Sequence, residues 1–304
     1  MLGHDGEKDE RVWELCNKGY TLIELGRFQE ALTFYNMALD IDPRKPVAWT
    51  GKGAALGNLG RFQEELACCD KALEINSKIP ETWNCRGIAL DNIGRDQEAI
   101  ACYDKAIEIN PIYAEAISNK GIALDNLGRY QEAIECCDKA IEIQPGHAEA
   151  WCNKGNSLNK LGRQHDALIC CDKALEINPR LPEALYTKAA VLGCLGKHQE
   201  AISCCDKALE INPRLAPAWS NKGAALGSLG KFQEELVCCD KAIEINPRFA
   251  GAWNNKGAAM GNIGKHPEEL ECYNKASIFY KSVKEVLDAE DCCSNPGRYL
   301  SKYQ

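Results

Sequence analysis

Hydrophobic and small residues recur along this chain with a period of 34 residues. The clearest marker, which we call the repeat glycine, stands at Gly19, Gly53, Gly87, Gly121, Gly155, Gly223 and Gly257, and Ala189 takes its place once. We number the repeats 1 to 8 by these eight residues. A period of this length predicts an elongated array in which each repeat buries its apolar face against its neighbours.

Each repeat contains two helical patterns separated by a second glycine. In repeat 2, Trp49, Gly53 and Leu56 stand at i, i+4 and i+7, which places them on one face of a first helix. Gly60 predicts the end of that helix, and a second helix follows with Cys69 on its apolar face. No segment has a convincing strand pattern. The sequence therefore predicts helix, tight turn, helix, tight turn throughout.

These residues resemble the tetratricopeptide repeat. The resemblance rests on the 34-residue period, Trp-x3-Gly-x2-Leu in the first helix, Gly before the second helix, Ala in its first turn and Pro at its close. It covers about residues 11–277. It implies an all-α, right-handed α-solenoid (superhelix) of eight helix-turn-helix repeats, with the first helices lining the concave side. We expect a flexible lead-in at 1–10, the eight repeats at 11–277, a capping helix or an extension of the last helix at 278–291, and a tail at 292–304.

A Cys-Cys pair replaces the usual aromatic of the second helix in five repeats. The cysteines in the aromatic place are Cys69, Cys137, Cys171, Cys205 and Cys239. We predict that each fills the core as a small apolar group while its neighbour is partly exposed. Zinc ligands usually come in pairs separated by two to four residues, and no Cys-x2-Cys occurs here. We therefore predict no metal and no cofactor, and keep a Cys-rich metal or redox protein as an alternative.

Three repeats carry Glu where the others have Ala in the second helix. These residues are Glu65, Glu235 and Glu269, and their repeats also have Ala-Ala after the repeat glycine. The small alanines suggest local space for the longer side chain. An unpaired buried carboxylate would shift its pKa rather than stay charged, so our hypothesis is that each Glu pairs with a nearby Lys.

Charge and composition exclude several classes of protein. The formal net charge is -8, and no block of Lys or Arg could follow a phosphate backbone, so we expect no nucleic-acid partner. No apolar run approaches the length of a membrane span, and no apolar leader precedes the repeats. The 18 cysteines fit reduced thiols in the cytoplasm. No nucleophile has a partnered base, so we predict no enzymatic activity.

Asparagine recurs two residues before the repeat glycine in five of the eight repeats, at Asn17, Asn119, Asn153, Asn221 and Asn255. A primary amide can donate to a peptide carbonyl and accept from a peptide N–H at once. This series resembles the asparagine ladder on the concave face of some superhelical members of the family, which implies binding of an extended peptide. The alternative, that Asn is only a common polar residue in such repeats, stays equally open.

A neighbouring stripe of the first helices predicts which peptide is preferred. It contains Tyr20, Ile88, Ile122 and Asn156 one residue after the repeat glycine, Asp91 and Asp125 four after it, and Glu81, Glu115, Glu149 and Glu183 at the helix starts. Apolar residues flanked by acids favour a segment with basic and apolar side chains, bound by repeats 3 to 5. We predict a protein–protein interaction scaffold. The alternative is an array that self-assembles through terminal repeats or convex faces.

Overall fold

A computed structural model describes the backbone of residues 2–285 and the side chains of residues 7–279. Within these residues the chain forms sixteen α-helices and no strand. The helices are α1 Leu2–Glu24, α2 Phe28–Ile41, α3 Pro46–Asn58, α4 Phe62–Ile75, α5 Pro80–Asn92, α6 Asp96–Ile109, α7 Ala114–Asn126, α8 Tyr130–Ile143, α9 Ala148–Lys160, α10 Gln164–Ile177, α11 Pro182–Cys194, α12 His198–Ile211, α13 Ala216–Ser228, α14 Phe232–Ile245, α15 Ala250–Asn262 and α16 His266–Glu285. The predicted all-α fold is confirmed.

The second glycine of each repeat ends the first helix. Gly60 has a φ of 75°, a conformation that glycine adopts without the steric cost of a Cβ. Its N–H donates to the carbonyl of Gly57 over 2.8 Å, and Arg61 N–H donates to the carbonyl of Leu56 over 2.9 Å. These bonds satisfy carbonyls that the helix end would leave unpaired. The chain then reverses directly into the second helix.

The chain divides into an N-terminal unit, Met1–His147, and a C-terminal unit, Ala148–Gln304. In each unit every odd-numbered helix packs against the even-numbered helix that follows it and against the next odd-numbered helix. Within the described residues, the Cα atoms of any two even helices of a unit stay more than 8 Å apart. The odd helices of a unit therefore form a continuous layer, which we call the odd layer, and the even helices cover one side of it.

Ion pairs join consecutive repeats within each unit. The basic residue before the repeat glycine reaches an Asp on the even helix of the preceding repeat, as in Arg86 Nε to Asp70 Oδ1 at 2.8 Å and Lys222 Nζ to Asp206 Oδ1 at 2.6 Å. Similar pairs, Lys120–Asp104, Lys188–Asp172 and Lys256–Asp240, recur along the chain. The carboxylates are about half exposed, so each pair contributes only about 0–1 kcal/mol.

The cysteines that replace the aromatic are all fully buried, as predicted. Their neighbours differ from the prediction, because Cys68, Cys170 and Cys238 are buried too and only Cys136 and Cys204 are half-buried. The physical reason is the close approach at the repeat glycine, where an added Cβ on Gly53 would lie 3.4 Å from Cys69 Sγ and 3.5 Å from Cys68 Cβ. Both cysteines of a pair thus pack against the odd helix.

The ends of the repeat array differ from the sequence expectation. Helix α1 begins at Leu2, so residues 2–10 are helical rather than a separate lead-in. Residues 7–10 are all exposed, and a helix turn that is solvated needs no apolar spacing. Helix α16 runs on to Glu285, so 278–285 extends the last helix. The remainder of the predicted cap, 286–291, and the tail, 292–304, lie outside the described residues.

A small space between the two helices of a repeat, which we call the slot, lies between the residue four after the repeat glycine and the residue twelve after it. In repeats 2, 7 and 8 a glycine on the odd helix faces a glutamate on the even helix, in the pairs Gly57–Glu65, Gly227–Glu235 and Gly261–Glu269. An added Cβ on any of these glycines would collide with the carboxylate. The glycine therefore makes the room that the sequence analysis had assigned to Ala-Ala.

The hypothesis of Glu–Lys pairs is wrong for the two buried glutamates. Glu65 is 2% and Glu235 4% exposed, and Oε2 of each has no hydrogen-bond partner. Glu65 Oε1 accepts a hydrogen bond from Cys85 Sγ at 3.3 Å. Glu269, which is less buried, contacts His266 instead. No lysine reaches these slots because the glycine surface of the odd helix closes over the carboxylate.

We expect Gly57→Ala to destabilise the protein, because the new Cβ would displace a buried carboxylate. The cost should be about 1–3 kcal/mol, as for other overpacked core sites. Gly193→Ala is the matched control, since Gly193 is also the second-last residue of its helix and an added Cβ there would meet nothing within 4 Å. That variant should gain up to about 0.5–1 kcal/mol from helix propensity. Thermal unfolding of both variants measures the difference. Equal shifts of the unfolding temperature in Gly57→Ala and Gly193→Ala would contradict the close contact between Gly57 and the Glu65 carboxylate.

Candidate functional site

Three asparagines of the series, on α7, α13 and α15, bridge consecutive odd helices within their units. Asn221 Nδ2 donates to the backbone carbonyl of Tyr186 at 3.1 Å, and Asn255 Nδ2 donates to Ser220 Oγ at 3.0 Å and to its carbonyl at 3.3 Å. Asn119 Nδ2 donates to Asn84 Oδ1 at 3.0 Å. These amides already hold one repeat to the next. Their spacing therefore has a structural cause, whatever they contribute to binding.

The predicted site residues differ in how accessible they are. Asn17 and Tyr20 are exposed, Tyr20 by 61%. Asn119, Asn153, Asn221, Asn255, Asn156 and Ile88 are half-buried, and Ile122 is 37% exposed. Asp125 is buried, at 6% exposure, and Asp91 is half-buried. The predicted stripe is thus partly surface and partly core.

Asp91 does not lie in the environment that the sequence analysis expected. Tyr103 Oη donates a hydrogen bond to Asp91 Oδ2 at 2.7 Å, and Asp91 Oδ1 is buried without a partner. Burial raises the pKa of Asp91 to about 8; the Tyr103 hydrogen bond opposes this rise and nearby Asp96 adds to it. Asp91 is therefore mostly neutral at pH 7. Because Asp125 is buried as well, neither provides the acidic flank of an exposed stripe.

The acidic flank instead comes from glutamates at the helix starts. Glu81 on α5 and Glu115 on α7 are both exposed. Seven residues after each of them stands an isoleucine, Ile88 or Ile122, and a spacing of seven keeps both residues on one helical face. Since α5 and α7 are adjacent in the odd layer, this face carries two acidic and two apolar side chains. We call it the α5–α7 face.

A buried asparagine that the sequence analysis missed holds one of these glutamates. Asn84, 3% exposed, donates through Nδ2 to Glu115 Oε1 at 3.1 Å and to Tyr113 Oη at 3.4 Å. Its Oδ1 accepts the bond from Asn119. The carboxylate of Glu115 is thereby fixed at the edge of the α5–α7 face. The spacing of Glu81, Asn84 and Ile88 at i, i+3 and i+7 was the sequence signal that could have found it.

The described part of the chain contains no metal site, disulfide or membrane-spanning helix. No group of three His, Cys, Asp or Glu side chains among residues 7–279 is arranged to hold a metal ion. None of the cysteines described forms a disulfide. Between residues 2 and 285, no helix is both long enough and apolar enough to cross a membrane.

Models of known repeat families match most of the chain. Six segments match the tetratricopeptide repeat, at residues 12–45, 80–113, 114–147, 148–181, 182–215 and 216–249. The chain belongs to the tetratricopeptide repeat family. A second tetratricopeptide repeat model matches residues 238–271, and the protein prenyltransferase alpha subunit repeat matches residues 62–93. The tetratricopeptide repeats support a protein–protein interaction scaffold.

One solved structure has a similar fold over most of this chain. A chain of the APC/C hetero-tetramer Cut9-Hcn1 is 17% identical with a TM-score of 0.71, over 90% of this chain and 54% of that one. This chain thus spans about half the length of that protein, and the likeness shows the fold alone.

Two smaller structures match part of the chain. YrrB, described as a TPR protein with an unusual peptide-binding site, is 27% identical with a TM-score of 0.40, over 60% of this chain and 95% of that one. MamA is 22% identical with a TM-score of 0.42, over 54% of this chain and 96% of that one. Both TM-scores are too low to carry an argument about this fold. The comparison with curated protein sequences gives no match.

The buried glutamates predict that stability falls as pH rises. Burial raises the pKa of Glu65 and of Glu235 from 4.5 to about 7. In the unfolded chain both ionise near 4.5, so between 4.5 and about 7 rising pH favours unfolding, and the loss is complete above about 7. Each shift corresponds to roughly 3 kcal/mol. Thermal unfolding should therefore occur at lower temperature at pH 8 than at pH 5.

The variant Glu65→Gln with Glu235→Gln should lose less stability over this pH interval, because Gln carries no titrating proton. The control is Glu74→Gln with Glu142→Gln, which changes two exposed glutamates and the same net charge. It should keep the pH dependence of the unmodified protein. If the unfolding temperature depended on pH in the same way in the two double variants, the pKa values of Glu65 and Glu235 would not be raised by burial.

Proposed function

We propose that this scaffold binds an extended segment of a partner protein on the α5–α7 face, and that the segment carries basic and apolar side chains. The observation that supports the proposal is the pairing of exposed Glu81 and Glu115 with Ile88 and Ile122 on two adjacent helices. Both helices belong to repeats 3 and 4 of the N-terminal unit. The proposed role is binding, not catalysis, and the cytoplasmic location stays a prediction.

Helix geometry predicts the spacing of the ligand side chains. Seven residues of helix separate each glutamate from its isoleucine, which is about 10 Å along the helix axis. An extended chain rises about 3.3 Å per residue, so about three residues span that distance. A segment that runs along the helices would thus place a Lys or Arg about three residues from an aliphatic side chain.

The expected affinity is modest. An exposed ion pair contributes about 0.2–1 kcal/mol, and full burial of an aliphatic side chain contributes about 1.5–3 kcal/mol. Asn84 holds Glu115 in place, so less side-chain entropy is lost when a basic side chain binds there. Because the exposed charges are screened by salt, binding should weaken as ionic strength rises.

We expect Glu81→Gln with Glu115→Gln to weaken binding of a blocked peptide in which a lysine precedes a leucine by three residues. The loss should be about 3- to 20-fold, corresponding to one or two exposed ion pairs. The salt dependence of binding should flatten at the same time. Titration calorimetry or fluorescence anisotropy at two salt concentrations gives both quantities.

The matched control changes Glu74 and Glu142, which lie on even helices, to Gln. It has the same net charge as the test variant, and its affinity should equal that of the unmodified protein. A second peptide with Gln in place of Lys should bind the unmodified protein as weakly as the Lys peptide binds the test variant. Equal loss in both variants would attribute the effect to overall charge and contradict a specific face.

Self-association is the second candidate, favoured by exposed apolar side chains on the first and last helices. Trp13 on α1 and Leu25 in the turn that follows it are each 64% exposed, and Leu270 and Ile278 on α16 are 62% and 61% exposed. Large exposed apolar residues are typical of contact surfaces when they cluster. Sedimentation over a hundredfold range of protein concentration shows whether the chain self-associates. If the assembly is built on α1 and α16, the variant Trp13→Ser with Leu270→Ser should dissociate it. The same variant should bind the peptide as tightly as the unmodified protein does.

A further inference from the structure

Two aspartates of repeat 3 lie together between its helices. Asp91 fills the slot from the odd helix α5, opposite Ala99 on the even helix α6. Asp96 is the first residue of α6 and is only 6% exposed. It acts on Asp91 both through its charge and through a hydrogen bond between the two side chains. The two carboxyl groups are therefore in direct contact.

Repeat 8 has the same contact with different residues. There Nδ1 of His266, the first residue of the even helix, lies 3.0 Å from Oε2 of Glu269, and this carboxylate fills the slot against Gly261. The position nine after the repeat glycine thus reaches a carboxylate in the slot. In repeat 3 these two places hold Asp96 and Asp91, and no other repeat has a carboxyl group at both four and nine residues after the repeat glycine.

Hydrogen bonds tie the pair to its own repeat and to the next one. Tyr103 Oη donates to Asp91 Oδ2 at 2.7 Å, within repeat 3. Asn126, the last residue of α7 in repeat 4, donates through Nδ2 to Asp96 Oδ1 at 3.0 Å. The other oxygen of Asp91, Oδ1, is enclosed and receives no hydrogen bond from a donor group. An ionised oxygen in that position is costly, whereas a protonated one needs only an acceptor, and the Asp96 carboxylate is one.

The groups that act on Asp91 come from α6. Burial raises the pKa of Asp91 to about 8, the Tyr103 hydrogen bond opposes this rise, and the charge and hydrogen bond of Asp96 add to it. Of the described residues on α3, α4 and α7, which also pack against α5, none acts on Asp91. Arg95, which precedes Asp96, is paired with Glu98 at 2.6 Å. A charge on Asp91 would therefore meet Asp96 and no cation from residues 7–279.

We propose that Asp91 and Asp96 share one proton, and that loss of this proton loosens the joint between repeats 3 and 4. In the protonated pair, Asp91 donates through Oδ1–H to the Asp96 carboxylate, which keeps its hydrogen bond from Asn126 on α7. In the ionised pair, two like charges repel each other in an enclosed space, and the hydrogen bond that Asp96 makes to α7 weakens. The joint is thus tight below about pH 8 and loosens as pH rises through the pKa of the pair.

This joint connects the two helices of the α5–α7 face, since Asp91 is on α5 and Asn126 is on α7. A looser joint alters the distance between the side chains of α5 and α7 that a ligand contacts together. The consequence for binding rests on the proposed function: a peptide on the α5–α7 face should bind more weakly above about pH 8 than below it.

Methyl nuclear magnetic resonance of the full chain between pH 6 and pH 9.5 tests the shared proton. Ile93 and Leu127, each two residues or fewer from the pair or from Asn126, pack against one core cluster of repeats 3 and 4. Their methyl signals should shift with a midpoint at about pH 8. The control is Leu161 in repeat 5, where an asparagine and a glutamine stand in the two aspartate positions. Its methyl signals should show no midpoint near pH 8.

Two variants separate a shared proton from an ordinary titration. In Asp91→Asn the amide can donate to Asp96 and accept from Tyr103, so this variant should fold and lose the midpoint near pH 8. Asp96→Asn removes the neighbouring charge and places an amide donor beside Asp91, which should lower the midpoint by about one pH unit or more. The proposal is overturned if the unmodified protein has no such midpoint, if the midpoint persists in Asp91→Asn, or if it is unchanged in Asp96→Asn.

The effect on binding is measured with a blocked peptide in which an arginine precedes a leucine by three residues, because arginine stays charged over this pH range. Its affinity for the unmodified protein should fall at least about threefold from pH 7 to pH 9, and its affinity for Asp91→Asn should stay constant. An equal fall in both would overturn the link between the joint and the α5–α7 face. A peptide that binds at neither pH would contradict the proposed function, and the methyl titration would still decide the shared proton.

Discussion

The close approach of two helices at the repeat glycine is the contact on which the rest of the structure depends. An added Cβ on Gly155 would lie 3.1 Å from Cys171 Sγ and 3.2 Å from the carbonyl oxygen of Ala167, closer than side-chain atoms normally pack. In the repeats with Tyr35, Tyr103 or Tyr273 the aromatic ring lies against the same glycine. The backbone of the repeat glycine therefore sets the distance between the odd and even helices of a repeat. The residues twelve and sixteen positions after that glycine, on the even helix, must have side chains that fit this distance.

The slot follows from this fixed distance. Once the two helices are held together, the position four residues after the repeat glycine and the position twelve after it share one space, and in seven of the eight repeats one of the two positions carries a larger side chain than the other. A Gly on one side goes with a Glu on the other in repeats 2, 7 and 8, and an Ala on the even helix goes with a larger residue on the odd helix in repeats 1, 3, 4 and 5. Packing at constant volume explains this exchange better than charge does, since Glu65 and Glu235 have no cationic partner.

Polar residues of the odd layer divide between holding the layer together and facing outward. Asn119, Asn221 and Asn255 donate to the preceding odd helix, and Asn84 is buried with its donors and its acceptor occupied. Glu81 and Ile122 instead project from the layer and are available to a partner. The two roles occur on the same helical face, only three residues apart at Glu81 and Asn84. For this reason a substitution in the asparagine series alters the joints between repeats as well as any ligand contact.

The sequence by itself determined the repeat, its two helices, the turns and the burial of Cys69 and its equivalents, because all of these depend on local spacing and on glycine at fixed places. It did not determine the helical start at Leu2, since apolar periodicity reports burial and not helix formation in a solvated segment. It also could not show that Asp91 bonds to Tyr103 or that Glu65 lies against Gly57. Those facts depend on which side chains from different helices share one volume, and only the tertiary structure brings them together.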